Sequence, residues 1–238
     1  MNNYQSIIKQ TAKDVLGNMG LYSNSSKRIW YDDNGFYLTI MEIAPCNVGG
    51  IFVNIGICPL WKKSLALVNY DIPSGRLTSP EVPNFKEALL YCLVDQDEVN
   101  LDIALQPEVF EYYFRKLMAL AKRQFEVGFK QLTDLNYFAQ KLENRKDSGC
   151  RQRDGHAIDL DHAIVAMTAG DVEKGKALME YAIAHSIRPK EVIKAEEMLV
   201  HTNSREEWLD YINRQIAEGR DLMSKQLKFL TKKSFRFE

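Results

Sequence analysis

K-R-I-W-Y-D-D-N-G-F-Y-L-T-I-M-E-I-A-P-C-N-V-G-G-I-F-V-N-I-G-I-C-P, residues 27–59, carries three β-type segments in succession with turn residues between them. Lys27 to Asp32 forms the first, and Asp33-Asn34-Gly35 closes it, the Asn-Gly step supplying the positive φ angles of a tight hairpin. Phe36 to Ala44 is the partner strand, and Pro45 to Gly50 makes the next turn. Ile51 to Cys58 alternates strictly: Ile51, Val53, Ile55 and Ile57 share one face, and Phe52, Asn54, Gly56 and Cys58 share the other. The stretch defines an antiparallel sheet and names no chemistry.

Outward from the sheet the pattern becomes helical. Tyr4, Ile7, Ile8, Ala12, Val15, Leu16 and Met19 recur at helical spacing before the sheet, with Gly20 placed to end that helix in a left-handed cap. After it, Leu65 to Tyr70 can add a fourth strand, and residues 71–84, with Pro73, Gly75, Pro80 and Pro83, read as a long loop. Residues 85–105 fit a short helix or a strand, with helix preferred. From Pro107, suited to a helix's first turn, Phe110, Tyr113, Phe114, Leu117, Ala121 and Phe125 hold an apolar stripe. Thr133 is placed to cap a following helix that carries Leu135, Phe138 and Leu142.

The polar stretch 144–155 separates two apolar-periodic regions, which predicts an α+β domain over residues 1–144 and a helical C-terminal extension over residues 145–238. Within the extension, Gly170 joins two helices in an αα-hairpin and Arg188-Pro189 marks another break. The hairpin has the look of one tetratricopeptide-like pair, but no second copy recurs at a fixed period. The expected fold class is therefore α+β, an N-terminal helix and antiparallel sheet followed by a helical C-terminal half.

Composition narrows the partners more than the function. The 238 residues are 45% hydrophobic and 26% charged, as in an ordinary globular protein. Lys and Arg number 31 against 32 Asp and Glu, a formal charge of −1, so no global field attracts nucleic acid or an anionic membrane. Lys225, Lys228, Lys232, Lys233 and Arg236 interleave with Phe229, Phe235 and Phe237, a pattern able to stack on nucleic acid. The preferred reading is cations complementing a helix end on a chain terminus that frays. Cys46, Cys58, Cys92 and Cys150 form no C-x-x-C pair and read as reduced thiols. Without a signal-peptide pattern or an apolar run of about 18 residues, the expected location is cytoplasmic.

Two constellations invite chemistry. His156, Asp159, Asp161 and His162 offer metal-ligand types within seven residues, yet histidines six apart diverge on a helix, and Asp159 or Asp161 capping a helix accounts for them without a metal. On the sheet, Arg28, Asp32, Glu42 and Asn54 stand among aromatics and can converge on a groove for a polar ligand, or Arg28 and Glu42 can pair across strands. Trp30, Tyr31 and Trp61 beside these charges form the mixture favoured at interface centres. No nucleophile elbow, P-loop, dinucleotide fingerprint or H-E-x-x-H occurs. The leading expectation is a protein-binding module without cofactor or metal, its binding residues Arg28, Trp30, Asp32, Glu42, Asn54 and Trp61. The alternative is a small-molecule binder or enzyme using the same groove.

The helix ending in Gly20-Leu21-Tyr22, the strand R-I-W-Y-D, the N-G turn and I-F-V-N-I-G-I resemble the bacterial family known as domain of unknown function 4304. So do F-E-V-G-F-K-Q-L-T-D-L-N-Y-F (residues 125–138) and A-G-D-V-E-K-G-K-A-L (residues 169–178). The resemblance implies a strand-rich first half and a helical second half, and it carries over no catalytic residue. Proteins of this look occur near bacterial toxin systems, so it also implies an immunity-type binding role.

Overall fold

The computed structural model describes residues 2–24, 28–46, 50–63, 75–76, 107–128, 130–147, 156–227, 230 and 235–238. The fourth strand expected at 65–70, most of the loop at 71–84 and the segment at 85–105 lie outside them.

Helix α1 (Asn2–Leu16) buries Ile8, Ala12 and Leu16, tightens into a 3-10 turn over Gly17–Met19, and ends at Gly20 with φ +70°. Among the described residues five antiparallel strands follow in the order β1-β2-β3-β4-β5: β1 (Tyr22–Asn24), β2 (Ile29–Asp33), β3 (Tyr37–Cys46), β4 (Gly50–Pro59) and the two-residue β5 (Gly75–Arg76). The β2–β3 turn departs from expectation. Among the described residues the only non-glycines at positive φ are Arg28 and Lys63, so Asn34 is not left-handed and Gly35 alone, at φ +92°, takes the strain. Asn34 N donates to Tyr37 O at 3.0 Å, which moves the tip to Gly35-Phe36.

Register assigns the faces. Tyr37, Thr39, Met41, Ile43, Val53, Ile55 and Ile57 share one side and are all buried. On the other, Tyr31, Leu38, Ile40 and Cys58 are also buried, so this face is closed at these residues. Helix α2 (Pro107–Gly128) lies against β3 and β4 and alongside α1, with Phe110, Phe114, Leu117, Met118, Ala121 and Phe125 buried.

Among the described residues the remaining helices are α3 (Leu135–Asp147), α4 (Ala157–Ala169), α5 (Val172–His185), α6 (Pro189–Val200) and α7 (Arg205–Ser224). The expected cap at Thr133 is supplied by its neighbour: Asp134 Oδ1 accepts from Asn136 N at 2.9 Å and Tyr137 N at 3.2 Å, since a carboxylate is a stronger acceptor than a hydroxyl. Asp171 caps α5 through Lys174 N, and Ser204 caps α7 through Glu207 N. Helix α4 is buried from Ile158 to Thr168 because α3, α5, α6 and α7 all pack on it.

The helical half grips the sheet half at several points. Arg220 of α7 is buried and donates from Nη1 to Asp33 Oδ2 at 2.9 Å and from Nη2 to Asp33 Oδ1 at 2.6 Å, with Nε reaching Gly35 O at 3.1 Å. Phe36 meets Trp61, Phe235 and Phe237, with ring centroids 6.0, 5.7 and 5.1 Å away. The terminus expected to fray is therefore anchored at 235–238, where Phe237 N also donates to Asn213 Oδ1 at 2.8 Å. One continuous core runs from Ile8 to Leu230, across the boundary expected near Asn144, which falls inside α3.

Candidate functional site

The expected sheet residues do not converge. Trp30 stands opposite Met41 and Asp32 opposite Thr39 on one face, whereas Glu42 stands opposite Asn54 on the other. Glu42 is half-buried, and the side chain of Asn54 lies outside the described residues. Arg28 sits just before β2 at φ +52° and donates from Nη2 to Gln5 Oε1 of α1 at 2.6 Å. Tyr31 and Trp61, expected at an exposed interface, are buried in the core, Tyr31 on the sheet and Trp61 in the 3-10 turn Leu60–Lys62. Their bulk is spent on packing.

The histidine cluster also separates. His156 Nδ1 lies 2.8 Å from Asp159 Oδ2 and its ring meets Tyr181 edge-on, while His162, buried, faces Glu143 at 3.3 Å. Neither aspartate caps α4, whose N-cap residue His156 makes no side-chain cap bond. Asp159 lies in the first turn, where its charge suits the helix dipole, and Asp161 lies deeper, buried, accepting from Trp61 Nε1 at 3.1 Å and pairing with Lys62 Nζ at 2.6 Å. Among the described residues no group of three or more His, Cys, Asp or Glu side chains gathers as metal ligands.

An open site lies where the turn after β4 meets α6 and α7. Trp61, Lys62 and Lys63 form one wall, Lys190, Ile193, Lys194 and Glu197 of α6 the second, and Tyr211 and Gln215 of α7 the third, around an open cavity of about 330 Å³. Local geometry explains each wall. Pro59 stays extended and Lys63 turns left-handed, so the 3-10 turn buries Trp61 and leaves the two lysines outward. Pro189 at N1 starts α6, and the 3.6-residue period lines up Lys190, Ile193, Lys194 and Glu197.

The charges of the groove are unevenly matched. Lys62 pairs with Asp161 and Lys63 with Glu218 at 2.5 Å, but Lys190 and Lys194 have no ion-pair partner among the described residues. Lys194 is half-buried, and burial pushes its ammonium below the ordinary lysine range; Asp161 opposes that shift, Lys62 adds to it, Glu197 opposes it and Lys63 adds to it. Tyr211 OH donates to Glu197 Oε1 at 3.4 Å, and burial, then the Glu197 charge, raises its pKa, so it remains a donor. Lys190 moreover occupies the first turn of α6, where a cation opposes the helix dipole. The nearby carboxylate, Glu191, is committed to Ser186 Oγ at 2.7 Å, His156 N at 3.1 Å and Arg188 Nη1 at 3.3 Å.

Sequence reasoning missed this groove because its walls come from two segments far apart in the chain. The signals were W-K-K directly after a strand and P-K-E-V-I-K opening a helix with cations at its positive end. Compared with protein-family models, curated proteins and solved structures, the chain has no match in any of the three.

Proposed function

We propose that the protein is a binding module whose recognition site is the lysine-lined groove, and that its ligand is an acidic, partly apolar segment of a protein partner. The observation that carries this reading is the pair of uncompensated cations, Lys190 and Lys194, set beside the exposed aliphatic side chain of Ile193 in the same groove. An ammonium pair supplies steering and specificity, and Ile193 supplies apolar area to bury. The immunity-type role implied by the resemblance is one form of such binding. A small anion in the groove is the second reading, favoured by a volume at the lower end of ligand-sized cavities.

Fluorescence anisotropy with labelled Glu- and Asp-rich peptides that also carry Leu and Ile tests the proposal, with Gln/Asn versions as controls. Acidic peptides are expected to bind, more weakly as salt rises, and Lys190→Glu with Lys194→Glu lowers affinity by about tenfold or more, equivalent to about 1.4 kcal/mol. Equal binding of the neutral versions overturns the reading. Calorimetric binding of citrate or inorganic phosphate, with no peptide bound, moves the assignment to the small anion.

A further inference from the structure

We propose that Lys194 is a reactive amine that captures small anionic aldehydes and 2-oxo acids as an imine within the groove. The inference rests on the groove as an anion site and is independent of whether a protein segment docks there. Three features of the geometry point to it. Lys194 is half-buried at the wall of an open cavity of about 330 Å³, large enough for a compound of a few carbons and open to its entry. Its Nζ has no ion-pair partner among the described residues, so no carboxylate contacts it directly. Lys190, without an ion-pair partner among the described residues, shares the cavity, so a carboxylate or phosphate on the incoming compound finds a cation while its carbonyl carbon reaches Lys194.

The charged groups facing Lys194 act in the direction this chemistry needs. Burial, with Lys62 and Lys63, favours the neutral amine, while Asp161 and Glu197 oppose it. Lysines placed in desolvated, cation-rich pockets are activated as nucleophiles in this way. The neutral Nζ attacks the carbonyl carbon, a C–N bond forms, and the C=O π pair moves to oxygen, which takes a proton to give a carbinolamine. Loss of the hydroxyl with one proton releases water and leaves C=N, so that amine plus carbonyl yields imine plus water with no redox change. Glu197, three residues along the same helix face and bonded to Tyr211 OH, is placed to carry the proton out and back.

The test is glyoxylate with cyanoborohydride, which reduces each imine to a stable carboxymethyl-lysine, followed by peptide-mapping mass spectrometry of the whole folded protein. Lys194 is expected to be labelled several-fold faster than the exposed lysines near neutral pH, because burial raises its share of neutral amine. Acetaldehyde, with no anionic group, should label Lys194 with less preference, and Lys190→Gln should slow glyoxylate at Lys194. Lys194→Arg, which keeps the charge, should abolish the fast phase, with circular dichroism checking its fold. Uniform labelling of all lysines, or equal preference for acetaldehyde and glyoxylate, overturns the proposal. Selective labelling without acidic-peptide binding would sink only the partner reading, and peptide binding with uniform labelling would sink only this one.

Discussion

Arg220 and Lys194 show how the same physics separates a structural cation from an uncompensated one. Arg220 is buried, but its fork is matched by both oxygens of Asp33 and by the Gly35 carbonyl, so desolvation is repaid by bidentate, charge-assisted bonds. Arg220→Ala leaves Asp33 and the hairpin tip without their partner, and denaturant melts should show a loss of about 3–5 kcal/mol. A loss below about 1 kcal/mol would mean that the hairpin is held by Phe36 packing alone. Lys194 has no such match, and its pKa is lowered chiefly by burial. Below its folded pKa, keeping it charged in the fold costs stability. As pH rises from that value to the ordinary lysine pKa of about 10.4, the unfolded chain binds more protons than the folded one, so wild-type stability climbs. Lys194→Met is therefore expected to raise stability at neutral pH, with the gain vanishing above about pH 10.5, as melts across the alkaline range can check.

At the scale of elements, the caps give direct tests. Asp171→Ala and Ser204→Ala each remove an acceptor from a helix N-terminus, and each should lower stability by about 1 kcal/mol in chemical denaturation. Gly219 is a sharper case, because a methyl group there would run into the Leu60 carbonyl where α7 crosses the turn. Backbone cannot step aside as a side-chain end can, so Gly219→Ala should cost more than either cap loss. Legibility in the sequence follows the same division. Gly20, Gly170, Pro107 and Pro189 were readable because their backbone demands are local. The cap at Asp134 and the turn tip at Gly35-Phe36 slipped by one residue, since neighbouring polar residues compete for such roles on tertiary grounds. The burial of Tyr31 and Trp61 was hidden for a related reason: an aromatic beside charges reads as an interface until the helix or ring that covers it is known. The candidate groove was least legible of all, because Lys62 and Lys194 meet only after the two halves dock.

For the whole molecule, the question is how independent the two halves are. A polar segment with basic residues at 144–155 invites protease, and Arg145, Arg151 and Arg153 are the expected first cleavage sites. Yet the contacts across that division are of the kind that hold a core together: Arg220 on Asp33, Trp61 Nε1 on Asp161, and Phe235 and Phe237 on Phe36. They bury aromatic area that neither half could cover by itself. Limited trypsin digestion should therefore yield two fragments on a denaturing gel that still elute together at the intact size on a native column. They should part only in denaturant, in a single transition that also removes far-UV signal from both. The halves expressed separately should each aggregate, having exposed Phe36 and Trp61 on one side and Asp161, Arg220 and Phe237 on the other. Fragments that separate under native conditions and keep their secondary structure would show instead that the division near residue 145 is a true domain boundary.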